Sequence, residues 1–182
     1  MNVKGIRTQA DLYCLFKTIV SKKPCFDEIV YSKVELEHRV KPSRRRVDLV
    51  LFFREQNKEE KPFLVIETKP SKRKEVETNY DKVVFIPRLG ELTIREAIAK
   101  GIFDEGSYKY HLGALQQAKE YAESLDAPFF AVCYVDSFFI RSFVESQGLF
   151  YSPVDFSEKF GLKLLKDLAE LYKKVKAAQH VE

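Results

Sequence analysis

Phe63-Leu64-Val65-Ile66 is apolar on both alternating faces, and no other part of this sequence restricts the fold as strongly. Successive side chains of a strand point to opposite sides, so such a segment needs a covering layer above it and another below. The expected architecture is therefore an α/β (α+β) layered domain, a central mixed β-sheet flanked by helices. The apolar material is sufficient, since 45% of the 182 residues are hydrophobic, and the length suits one domain spanning 1–182.

The periodicities supply the layers. Leu12, Leu15, Phe16 and Ile19 recur at helical spacing after Thr8, which is placed to cap the helix. Stretches 29–40 and 47–53, separated by Lys41-Pro42-Ser43-Arg44, read as a strand pair, and 62–69 follows as the covered strand. Residues 70–109 carry no clear pattern and read as an insertion. A helix over 111–125 has Ala114, Ala118, Tyr121 and Leu125 on one stripe, small enough to lie close to a sheet. Strands over 128–135 and 138–144 turn at Asp136-Ser137. A last helix over 156–176 follows, with Asp155 and Glu158 placed for its N-cap.

Several function classes drop out. The longest uncharged apolar run, 127–135, ends at Asp136 and is far shorter than the ~20 residues of a membrane-spanning helix. Gln9 and Asp11 interrupt the start as a secretory signal, so a cytoplasmic location is expected. Cys14, Cys25 and Cys133 are widely spaced, which argues against a zinc site and reads as buried thiols. His38, His111 and His180 form no metal-binding pattern, and no phosphate-binding Gly-x-x-x-x-Gly-Lys-Ser/Thr loop occurs, so no ATP-driven motor is expected in this sequence. A net charge of +4 is a mild bias that does not by itself imply nucleic acid.

What remains informative is charge inside apolar strands. Asp48 lies within Val47-Asp48-Leu49-Val50, and Glu67 and Lys69 close the covered strand. Glu67 and Lys69 point to one face, and strand pairing can bring Asp48 beside them. Two carboxylates and the Thr68 carbonyl make an oxygen site suited to Mg²⁺, and a lysine beside it can position a nucleophile, which is phosphodiester hydrolysis chemistry. An ordinary ion pair at a fraying strand end is the alternative.

Asp48, then Glu67-Thr68-Lys69, then Gln117-Ala118-Lys119-Glu120-Tyr121 on the following helix resembles the PD-(D/E)XK nuclease superfamily. The order is most similar to the N-terminal nuclease domain of type I restriction enzyme motor subunits and to RecB-like nucleases. The resemblance covers about residues 8–144, leaving out the insertion. It implies a restriction-endonuclease-like core in which Asp48 and Glu67 bind Mg²⁺ or Mn²⁺, Lys69 assists attack by water, and Gln117 and Tyr121 orient the site or the DNA backbone. Two departures stand out. Val47 replaces the family's usual proline before the aspartate, and Gln9 stands where the first helix commonly supplies a glutamate. Asp11, Glu28, Glu35 or Glu37 are the candidates to compensate.

Arg44, Arg45 and Arg46 precede Asp48, and Lys72, Arg73 and Lys74 follow Lys69, as expected of groups that hold phosphates on either side of a scissile bond. The sequence thus reads as a metal-dependent deoxyribonuclease with DNA as partner. Two other readings are carried with it: an inactive nuclease-fold module that binds nucleic acid or protein, and a homodimeric junction-resolving nuclease. No helicase or modification partner is identified by the sequence, and no membrane is implied.

Overall fold

The computed structural model describes residues 3–40, 45–69, 83–86, 90–93, 96, 100, 105–134, 137–144, 147–151 and 154–180. Helix α1 (Val3–Ser21) begins before Thr8, which is buried within the helix instead of capping it. Nothing in Lys4-Gly5-Ile6-Arg7 forces a break, so the helix extends back through them. Lys22 and Lys23 close its end by donating to Ile19 and Val20, and Lys23 takes a positive φ of 47° before Pro24.

Strands β1 (Cys25–Phe26), β2 (Ile29–Arg39), β3 (Arg46–Glu55) and β4 (Lys61–Thr68) follow as antiparallel neighbours. Within the expected insertion, β5 (Val83–Ile86) pairs with β6 (Gly90–Thr93) as a separate two-stranded sheet. Helix α2 (Glu105–Leu125) starts ahead of the apolar stripe that marks it in the sequence. Strands β7 (Phe129–Cys133), β8 (Phe138–Ser142) and β9 (Gly148–Tyr151) come next, and helix α3 (Glu158–Gln179) closes the chain. The main sheet has the order β1-β2-β3-β4-β7-β8-β9, and β4 with β7 is its parallel pair. Parallel neighbours need a crossover, and α2 provides it.

Each face of the sheet has its own core. On one, Leu12, Phe16 and Ile19 of α1 and Leu164, Leu165 and Leu168 of α3 pack on Leu49, Leu51, Leu64 and Ile66. On the other, Ala114, Ala118, Tyr121 and Ala122 of α2 pack on Val50, Val65 and Val132. Phe63, Leu64, Val65 and Ile66 are each 0% exposed, as a strand covered on both sides must be. The helices α1 and α3 approach closely at Gly161, where a Cβ would lie 2.1 Å from Ile19 Cδ1.

Three further details differ from the sequence reading. Ser157, not Asp155 or Glu158, caps α3, accepting from the Phe160 amide at 3.2 Å. Asp155 instead accepts from the Ser157 amide and hydroxyl, at 3.0 and 2.9 Å, and so fixes the cap. Of the thiols, Cys133 is buried but Cys14 and Cys25 are exposed, because neither points into an apolar layer. The short edge strands β1 and β9 carry too few residues for alternation to register. Among the described residues, no helix is long and apolar enough to cross a membrane.

Candidate active site

The ladder between β3 and β4 has Leu49 opposite Ile66 as its last pair at this end. Beyond it the Asp48 carboxylate, not a backbone carbonyl, receives the next amide. Asp48 Oδ2 accepts from the Thr68 amide at 2.8 Å and from the Thr68 hydroxyl at 2.9 Å. Two donors on one oxygen fix the side chain and leave Oδ1 outside this pair of bonds. Across the strand boundary, Glu67 lies one step past the last pair, alongside Asp48.

Glu67 is 2% exposed, and its Oε1 is buried with no hydrogen-bond partner among the described residues. Burial and, next, the negative charge of Asp48 push its carboxyl up to about 7, against the pull of Lys69 and of the Asp48 amide. Lys69 Nζ stands 3.6 Å from Glu67 Oε2 and is partly open to solvent. Its backbone is tied to the neighbouring strand, where the Lys69 amide donates to the Cys133 carbonyl at 3.0 Å. Asp48, Glu67, Thr68 and Lys69 therefore meet at one end of the β3–β4 pair.

Gln117 Nε2 donates to the Tyr121 hydroxyl at 3.1 Å, one turn apart on α2. Tyr121 belongs to the layer that packs on Val65 and Val132, the β4 and β7 residues next to the site. At 100° per residue, Gln117 and Lys119 lie on opposite flanks of the buried stripe. Lys119 shares a cleft with Arg141 of β8, so the Gln117 flank is turned toward β4 and β3.

The basic residues divide. Arg45 pairs with Glu120 of α2 at 3.7 Å and Arg46 with Glu37 at 3.1 Å, both exposed. Arg44, Lys72, Arg73 and Lys74 lie outside the described residues. Of the candidate compensating acids, Asp11 and Glu28 are exposed, and Glu35 contacts Lys33 and His38. Glu37 has its backbone opposite Asp48, between the pairs Leu36–Leu49 and His38–Val47, and a positive φ of 50° there sends its carboxylate to Arg46.

Among the described residues, no three His, Cys, Asp or Glu side chains gather as a metal-binding group. Among the described residues, Asp48 and Glu67 stand side by side as a pair of carboxylates, a donor set that suits a hard cation when backbone oxygen and water complete it. The unpartnered Glu67 Oε1 fits such a use. No family model matches this chain, and no curated protein or solved structure is significantly similar to it.

The Thr68 amide and hydroxyl are the site groups that strand alternation conceals. Alternation places Thr68 on the face opposite Glu67, and only the ending of the ladder at Leu49 brings it to Asp48. A polar residue at the end of an otherwise covered strand was the available signal.

Proposed function

We propose that this chain is a metal-dependent deoxyribonuclease that hydrolyses phosphodiester bonds, with Asp48, Glu67 and the Thr68 carbonyl as the protein ligands of Mg²⁺ or Mn²⁺. The observation that carries this reading is the buried Glu67, one of whose oxygens has no hydrogen-bond partner among the described residues while Asp48 stands beside it. Even with Lys69 3.6 Å away, a carboxylate placed this way is disfavoured in its charged form, and a further positive charge between it and Asp48 would offset that. A divalent cation held there supplies Lewis acidity toward the phosphate and makes water a better nucleophile at neutral pH.

The protein's own groups do the rest. Thr68 keeps Asp48 from rotating through its two hydrogen bonds. Lys69, anchored at its backbone to β7, presents an ammonium that offsets charge developing on the phosphate and helps aim the attacking water. Gln117, bonded to Tyr121, supports the pocket from the α2 side. Arg45 and Arg46, with Arg44, Lys72, Arg73 and Lys74 nearby in sequence, supply positive charge for the DNA backbone.

The test is cleavage of DNA by purified protein in Mg²⁺ or Mn²⁺, run beside Asp48→Ala and Lys69→Ala. Each substitution is expected to lower the rate by about 10²-fold or more, the usual scale for removing one stabilising group. Equal residual rates in all three proteins overturn the assignment.

A further inference from the structure

On the flank of α2 away from Gln117 lies a polar cleft with a volume of about 410 Å³. That is within the range of small-molecule sites, ~300–1,000 Å³. Among the described residues, its lining is Lys119 of α2, Phe130 of β7, Arg141 and Ser142 of β8, and Phe143. Lys119 and Arg141 bring two positive charges to this described lining, which suits an anion.

Phe143 is the unusual member. It is a large apolar side chain left 41% exposed, tilted at 56° against the buried ring of Phe130 with centroids 5.1 Å apart. Its backbone is fixed by the buried Ser142. The Ser142 hydroxyl accepts from the Val144 amide at 3.2 Å and donates toward the Val144 and Gln147 carbonyls at 3.0 and 3.1 Å. The Ser142 amide also donates to Gln147 O at 3.1 Å. An exposed ring held on such a turn loses little freedom when something stacks on it.

We infer that this cleft binds an unpaired nucleotide of a single strand, its base stacked on Phe143 and its phosphates held by Lys119 and Arg141. A ring with flanking cations is the combination that retains single strands, because any unstacked base offers a π face. Bases inside a duplex are stacked on one another and have no face to give. Arg141 lies opposite Phe130 in the ladder, and Phe130 is opposite Val65, two residues before Glu67. The subsite is thus on the α2 face of the same sheet as Glu67. This inference rests on the nuclease reading and narrows its substrate to strands with an unpaired segment beside the cut.

Binding is measured without metal, by fluorescence anisotropy of a labelled oligothymidylate and of a duplex of equal length. The single strand is expected to bind more tightly. Phe143→Ala weakens that binding by about 5- to 100-fold, leaves the duplex unaffected, and Phe143→Tyr restores it. Lys119→Ala and Arg141→Ala each lower the salt slope by about 0.7. Single-strand binding that survives Phe143→Ala, or equal affinity for both forms, overturns the subsite. Cleavage in Mn²⁺ is scored separately. Protein that binds through Phe143 yet cuts nothing removes the nuclease reading and leaves the subsite. Protein that cuts, while Phe143→Ala binds normally, does the reverse.

Discussion

Glu67 is the residue at which stability and proposed function pull apart. Its carboxyl is pushed up to about 7 by burial and by Asp48, so the folded chain holds a proton there that the unfolded chain has released above about pH 4.5. Between those two values the native state binds more protons, and stability falls as pH rises. The penalty is complete above pH ~7 and absent below pH ~4.5. Glu67→Gln, which removes the charge, is therefore expected to stabilise the metal-free protein by about 1–3 kcal/mol at pH 8 and by nearly nothing at pH 4.5. Urea unfolding at the two pH values checks this. A Gln variant less stable than the wild type at pH 8 means that Glu67 is a structural ion-pair partner of Lys69 and nothing more. With Mn²⁺ added, wild type is expected to gain melting temperature by mass action, and Asp48→Ala is not. Equal gains in the two would place the ion elsewhere.

Among the elements, α3 makes two contacts that each carry a prediction, one with the sheet and one with α1. At one, Glu55 at the end of β3 takes hydrogen bonds from Lys58 at 2.7 Å, from the Tyr172 hydroxyl at 2.7 Å and from Lys176 at 3.1 Å. These bonds lower its carboxyl to about 2. Because the folded value lies below the unfolded one, the contribution is full above about pH 4.5 and is lost as pH falls toward 2. Glu55→Gln should flatten the acid limb of the stability profile, with little change in its slope near neutrality; an unchanged acid limb rejects the clamp. At the other point, Gly161→Ala places a methyl 2.1 Å from Ile19 Cδ1 in a buried seam. Overpacking of about 1–3 kcal/mol outweighs the ~1 kcal/mol that alanine gains over glycine in a helix. Ile19→Val removes the offending carbon and should recover much of the loss in the double variant; additive losses in that thermodynamic cycle reject the clash. The elements themselves were largely readable from periodicity, because each long helix and the covered strand bury a regular stripe. The rest was set by tertiary or end effects that no local pattern records. Ser157 outcompeted Asp155 for the cap because Asp155 had the serine itself to bind. The pairing of Asp48 with Glu67 follows from strand alternation, whereas the Thr68 bonds depend on where a ladder stops.

At the scale of the molecule, the parallel pair β4–β7 joins the antiparallel strands of the first part of the chain to those of the last. Phe63 sits at that junction. It is 0% exposed, and its ring lies 5.4 Å from Tyr31, 4.4 Å from Phe53, 5.1 Å from Phe129 and 5.4 Å from Tyr172. Those four rings come from β2, β3, β7 and α3, so one side chain contacts both halves of the sheet and the helix that covers it. The Tyr31 hydroxyl extends the same tie by donating to the Leu165 carbonyl at 2.6 Å. Removing the Phe63 ring should cost about 3–5 kcal/mol. Because the junction is shared, the loss should appear as one cooperative transition moved to lower denaturant, seen identically by far-ultraviolet circular dichroism and tyrosine fluorescence. Two separated transitions in Phe63→Ala would mean that the halves fold independently. The candidate site would then bridge separable units, since Asp48 and Glu67 belong to one half while the backbone partner of Lys69 is Cys133 of the other. A single transition instead ties the geometry of the proposed active site to the same core that determines whether the chain folds.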